Sequence, residues 1–101
     1  MHRIDRLIRT LPDYCRTIAV DPYKTYIIGG VYITEQKQTC EYCFKNETII
    51  AKKDMIQGRY EFGIAFDSKS KCIYVFGGLA NRLFLDHCEK YSVENNTWTP
   101  I

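Results

Sequence analysis

The chain has 101 residues, of which 46% are hydrophobic and 26% charged, and these values fit one small globular domain. Its formal net charge is +2 with Lys and Arg scattered along the sequence, which argues against a surface for nucleic acid or for an acidic membrane. No apolar run approaches the ~18 residues of a membrane helix, so we expect no membrane span.

The first eleven residues allow two interpretations. Apolar side chains recur with the spacing of a short amphipathic helix, at Ile4, Leu7, Ile8 and Leu11. The competing interpretation is the last strand of a preceding repeat, followed by a turn at Leu11-Pro12. We favour the strand and treat residues 1–11 as an N-terminal segment.

The rest of the chain repeats itself with a period near fifty. A glycine pair closes an apolar, aromatic-rich run twice, as Gly29-Gly30 and again 48 residues later as Gly77-Gly78. Cys40-Glu41 recurs as Cys88-Glu89 at the same offset. Such a period indicates a repeat architecture, and we divide the chain into a first copy, 12–55, and a second copy, 56–101.

Each copy is predicted to hold four short strands joined by hairpins, which makes the fold class all-β. The strands of the first copy are placed at 15–20, 25–28, 39–44 and 48–51. Those of the second copy are placed at 60–66, 72–76, 87–93 and 97–101. The alternation of large apolar residues over 60–66 is the clearest strand pattern in the chain. The segments after the glycine pairs, 31–38 and 79–85, are predicted to be loops.

The second copy resembles a kelch repeat, the unit whose blades build one class of β-propeller. Arg59-Tyr60 opens its first strand, Gly77-Gly78 ends the second, Tyr91 lies in the third and Trp98 opens the fourth. The six residues between Tyr91 and Trp98 match the family spacing. The doublet, the tyrosine and the tryptophan together make the resemblance specific.

The first copy keeps Gly29-Gly30 and departs elsewhere. Cys43 stands where the family has Tyr, Ile50 where it has Trp, and Asp13 where the second copy has Arg59. We therefore expect looser packing in the first copy, or compensation by neighbouring apolar residues.

The resemblance implies two four-stranded antiparallel blades of a kelch-type β-propeller. Propellers typically close with four to eight blades, so two blades imply an incomplete propeller. We expect either a piece of a longer protein or a chain that self-associates, for example three copies closing a six-blade ring. Further blades, in the same chain or another, are thus expected partners.

The resemblance also implies a protein-interaction module. In kelch propellers, partners commonly meet one face, at residues just after the glycine doublet and at the start of the first strand. Those positions here are Tyr32, Arg59, Glu61, Leu79, Asn81 and Arg82, with Val31 beside them. The partner is expected to be a protein, and the family adds substrate recognition in a ubiquitin-ligase complex as one such role.

No residue pattern points to catalysis, so we expect neither an enzyme nor a cofactor. Cys40-x-x-Cys43 has metal-ligand spacing, but the repeat explains Cys40 and Cys88 as equivalent small packing residues, and we expect no metal site. The alternatives are a fragment of a kelch-like copper oxidase and a non-functional remnant of a larger kelch protein.

The cysteine count and the N-terminus bear on location. Five cysteines, an odd number scattered through the chain, do not form a disulfide framework. The N-terminal residues show no continuous apolar segment of a secretory signal. We therefore expect a reducing, cytoplasmic setting.

Overall fold

The computed structural model describes residues 3–101, and its two large sheets correspond to the two copies of the repeat. The elements in chain order are α1 (Arg3–Thr10), β1 (Arg16–Ala19), β2 (Lys24–Ile28), β3 (Thr39–Cys43), β4 (Thr48–Ala51), β5 (Gly63–Asp67), β6 (Cys72–Phe76), β7 (Leu79–Ala80), β8 (Leu83–Phe84), β9 (Cys88–Ser92) and β10 (Thr97–Pro100).

Each large sheet is an antiparallel meander of four strands. Blade 1 has the order β1-β2-β3-β4, and blade 2 has the order β10-β9-β6-β5. β7 and β8 form a separate two-stranded hairpin. The prediction of an all-β chain with two four-stranded antiparallel sheets is confirmed.

Three segments differ from the prediction. The strand placed at 60–66 begins only at Gly63, and Tyr60 forms an isolated bridge to Leu79. Residues 3–10 form the helix α1, so the strand that we favoured there is wrong; residues 1 and 2 of that segment lie outside the described residues. Residues 79–85 are not a plain loop, because Asn81 and Arg82 both adopt positive φ and form the two-residue turn that joins β7 to β8. Within residues 3–101 no helix has the length and apolar character that crossing a membrane requires.

Strand pairing shifts the alignment of the two copies by one residue in their third strands. Thr25 of β2 lies opposite Tyr42, and its counterpart Ile73 of β6 lies opposite Tyr91. Tyr42 is therefore the structural equivalent of Tyr91, and the assignment of Cys43 to this position is wrong. The loop after the glycine pair is one residue longer in the second copy, which counting from the glycines alone does not reveal.

The same shift continues into the fourth strands. Ile49, not Ile50, takes the place of Trp98, because it lies opposite the tyrosine of its blade just as Trp98 does. The shift also separates Cys40 from Cys88. A one-residue slip turns a side chain to the other face of a sheet, so these two cysteines are not equivalent packing residues.

The hydrophobic core lies between the two blades. Its buried members are Tyr26, Ile28, Met55, Phe62, Ile73, Val75, Tyr91 and Trp98. The ring of Tyr26 in blade 1 lies 5.5 Å from that of Tyr91 in blade 2, which in turn lies 5.0 Å from Trp98. The hydroxyl of Tyr26 donates to Glu41 at 2.7 Å, and burial together with this carboxylate raises the pKa of Tyr26. Aromatic packing thus fixes the blades against each other.

The segment that connects the blades, residues 52–62, is hydrogen-bonded to side chains of blade 2. The indole N–H of Trp98 donates to the carbonyl oxygen of Lys53 at 2.9 Å. The backbone N–H groups of Ile56 and Gln57 donate to the Glu89 carboxylate at 2.7 and 3.0 Å. The linker is therefore bound along its length, and the loops of both blades keep a defined relative position.

Candidate interaction surface

The glycine pairs direct the chain out of the second strand of each blade. All four glycines have positive φ, which side chains with a Cβ rarely adopt. At Gly78 a Cβ atom would also come within 2.7 Å of the carbonyl oxygen of Tyr60. The segment before the first strand of blade 2 therefore lies directly against the end of its second strand. The loop that follows starts from the same place in both blades.

The loops that follow the two glycine pairs meet each other. We call residues 31–38 the first doublet loop and residues 79–87 the second doublet loop. The carboxylate of Glu35 in the first accepts a hydrogen bond from the backbone N–H of Asn81 in the second. This bond lowers the pKa of the Glu35 carboxyl below its ordinary value. The two blades therefore present one joined surface.

A cleft of about 450 Å³ lies between the doublet loops. Its lining residues are Val31, Ile33, Thr34, Glu35, Tyr60, Asn81 and Arg82. The exposed guanidinium of Arg82 supplies a positive group and Glu35 a negative one, while Ile33 supplies apolar area. A cleft with a few polar groups among apolar ones is suited to holding a side chain of a partner.

Large apolar side chains are exposed in both doublet loops. Ile33 is 98% exposed in the first doublet loop and Phe84 is 89% exposed in the second. Leu83, next to Phe84, is also exposed. Exposed apolar side chains are a feature of interaction sites, and aromatic residues dominate binding energy in such sites.

The structure brings part of the predicted site together. Asn81 and Arg82 line the cleft, and both are exposed. Leu79 is half-buried and pairs through its backbone with Tyr60, so it supports the cleft wall more than it offers contact area.

Tyr32 and Glu61 lie outside the cleft lining. Tyr32 is exposed, and its hydroxyl donates to the carbonyl oxygen of Thr10 at the end of α1. Glu61 is exposed with a φ of 51°, and its backbone N–H donates to the carbonyl oxygen of Tyr14. Both side chains are accessible, but neither belongs to the group that surrounds the cleft.

The prediction that Arg59 contacts a partner is wrong, because its side chain is fully buried. Its guanidinium donates to the Glu89 carboxylate at 2.8 Å and to the carbonyl oxygens of Gly77 and His87 at 2.9 and 3.0 Å. Arg59 therefore holds the second doublet loop from beneath. Its counterpart in blade 1 is Pro12 rather than Asp13. The bridge from Asp13 to Val31 matches the bridge from Tyr60 to Leu79, so the residues just before Asp13 and Tyr60 are equivalent.

Sequence reasoning did not assign six residues to this surface: Ile33, Thr34, Glu35, Tyr60, Leu83 and Phe84. The apolar pair at Leu83-Phe84 inside a predicted loop was an available signal. The contact of Glu35 with the other blade had none, since it depends on how the blades pack.

Metal-ligand spacing in the sequence does not produce a metal cluster. Within the described range, no three or more His, Cys, Asp or Glu side chains are grouped so as to hold an ion. Cys40 and Cys43 are three apart on the strand β3, so their side chains point to opposite faces. All five cysteines are free thiols, and burial raises the pKa of Cys15 and of Cys40.

Comparison with protein families confirms that the second copy resembles a kelch repeat. A family model described as the kelch motif matches residues 69–101. Residues 69–101 carry a kelch motif. The match includes the doublet Gly77-Gly78, Tyr91 and Trp98, so the kelch signature coincides with β6 to β10 of blade 2. A search of curated proteins found no match to this chain.

Comparison with solved structures finds chains with a similar fold. The chain is similar to a fungal alcohol oxidase of the AA5 family solved in complex with copper, with a TM-score of 0.77 over 88% of this chain. The two sequences are 12% identical, and the match spans 22% of the oxidase chain. This likeness shows the fold alone. The chain thus has two four-stranded antiparallel blades, and the second blade carries the kelch motif.

Proposed function

We propose that this chain is a non-catalytic protein-interaction module whose doublet loops bind a partner protein. The observation that carries the proposal is the joining of the two loops by the Glu35–Asn81 contact into one surface with a cleft and exposed apolar tips. Rigid blades that display short loops are a common way to build a binding site.

We further propose that another blade packs on the face of blade 2 that points away from blade 1. Phe76 alternates with the core residue Val75 and is 46% exposed on that outer face. Its ring covers Gly63, where a Cβ atom would meet it at 2.0 Å. An apolar blade face of this kind is what a neighbouring blade covers, whether from the same chain or from another copy.

The setting we propose is the cytoplasm, where thiols such as the five free cysteines of this chain persist. The specific role we propose is recognition of a substrate for a ubiquitin ligase. Its support is the kelch resemblance alone.

The test is quantitative capture of partners from cell extract by the intact chain and by matched variants. Phe84→Ala and Arg82→Ala each remove one side chain of the surface, and we expect both to lose the captured partner. Tyr23→Ala is the control, because Tyr23 is an exposed aromatic residue at the opposite end of β2 and its loss is expected to leave capture unchanged.

Three outcomes would count against the proposal. Equal loss in all three variants would place binding elsewhere, and capture of nothing by the intact chain would favour a non-functional remnant. Stoichiometric copper in the purified chain would favour the oxidase alternative, so metal content is measured on the same preparation.

A further inference from the structure

The outer edge strand of blade 1, β4, presents unpaired backbone groups to its outside. The backbone N–H of Lys52 donates to the carbonyl oxygen of Thr39, which sets the alternation of hydrogen-bonded pairs between β3 and β4. Ile49 and Ala51 then fall at the non-bonded positions of this ladder. Their N–H and C=O groups therefore point away from β3 to the open edge.

The equivalent edge in blade 2 carries a proline. The backbone N–H of Ile101 donates to Cys88, so Trp98 and Pro100 occupy the outward positions of β10. Pro100 lacks an N–H, and proline on an edge strand is a known protection against pairing with another chain. By strand register, Ala51 is the counterpart of Pro100 and leaves the edge of blade 1 open.

The side chains of β4 are apolar and accessible. The strand reads Thr48-Ile49-Ile50-Ala51, without a charge, and Ile49 and Ile50 are 40% and 47% exposed. Ile49 stands where blade 2 has the buried Trp98, so blade 1 lacks the aromatic side chain that shields this position. An uncharged, β-branched and open edge is a template for strand addition.

The sequence around β4 is complementary to itself in the antiparallel direction. When Ile49 of one copy lies opposite Ala51 of another, the two residues exchange N–H···O bonds and the Ile50 side chains meet at the two-fold axis. The same register brings Glu47 of each copy toward Lys52-Lys53 of the other. Opposite charges across an antiparallel pair are favourable, and the uncharged centre opposes no like charges.

We propose that β4 is a self-pairing edge through which two copies of this chain join antiparallel, so that their blades form one continuous eight-stranded sheet. The edge lies at the outer rim of the blade, whereas further blades would pack on the faces. The pairing is therefore compatible with a longer propeller. It does not use the doublet loops and is independent of the proposed function.

The test measures the solution mass of the intact chain by light scattering over a concentration series. We expect a species of twice the 11.9 kDa of one chain. Ala51→Pro copies the residue that blade 2 already carries at this position, removes an N–H that makes no bond within blade 1, and is expected to abolish the dimer. Ile49→Lys is a second variant that adds a charge to the edge, and we expect the same loss.

Two controls separate this pairing from other contacts. Thr99→Lys places the same charge on the edge strand β10 and should leave the dimer intact, as should Phe84→Ala in the second doublet loop. Amide hydrogen exchange at Ile49 and Ala51 should slow as concentration rises. A chain that is monomeric throughout, a trimer, or a dimer that survives both β4 substitutions would overturn the proposal.

Discussion

Replacing Arg59 by alanine should lower the free energy of unfolding of this chain by about 4 kcal/mol. The guanidinium and the Glu89 carboxylate are 0% and 2% exposed and 2.8 Å apart, so water does not screen their interaction. Breaking a buried pair by removing one partner costs about 3–5 kcal/mol. The substitution also strands the carbonyl oxygens of Gly77 and His87, and each unpaired buried group costs about 1–3 kcal/mol.

The broken ion pair and the two unpaired carbonyl groups each give an estimated loss of about 4 kcal/mol in the free energy of unfolding. A typical domain is stabilised by roughly 5–15 kcal/mol. The assay is urea unfolding followed by far-ultraviolet circular dichroism. Arg82→Ala is the matched control, since an exposed arginine should change the free energy of unfolding by no more than about 0.5 kcal/mol. A loss below about 1 kcal/mol for Arg59→Ala would refute the assignment of Arg59 to the buried network.

Three further results are expected. Tyr42→Ala should lower the free energy of unfolding by about 3–5 kcal/mol and Cys43→Ala by much less, because Tyr42 fills the aromatic position; similar losses in urea unfolding would contradict the register. Gly78→Ala should be more destabilising than Gly77→Ala, since both force a Cβ into positive φ but only Gly78 is crowded by backbone; the melting temperatures decide the order. The lowered pKa of Glu35 gives stability that is present above the ordinary value of 4.5 and is lost as pH falls through the lowered value; Glu35→Gln should remove this dependence in acid titrations.

Much of the fold could be predicted from the sequence, because the residue types that recur in the two copies determine where strands and turns form. Glycine pairs end strands, alternating apolar residues mark β5, and Asp21-Pro22 marks the turn between β1 and β2. The strand favoured over residues 1–11 is wrong for 3–10, because the helical apolar spacing of this segment outweighs the turn pattern at Leu11-Pro12. The hairpin β7–β8 was missed since its turn, Asn81-Arg82, has no glycine at a position that needs positive φ.

The register of the third strands could not be read from residue counts. One extra residue in the second doublet loop shifts every later position, and Cys40-Glu41 repeating as Cys88-Glu89 concealed the shift. The predicted site residues Asn81 and Arg82 line the cleft between the doublet loops, and their role in binding stays a prediction. Arg59 was placed there as well, because sequence position does not show that a charged side chain is buried beneath a loop and paired with Glu89.

The most direct measurement of the central claim is hydrogen exchange on the chain with and without its captured partner. The account predicts slower exchange at backbone amides of the two doublet loops, 31–38 and 79–87, and unchanged exchange at the turn between β1 and β2. Protection confined to β4, or to the turns at the opposite end of the blades, would contradict the claim that the joined loops form the binding surface.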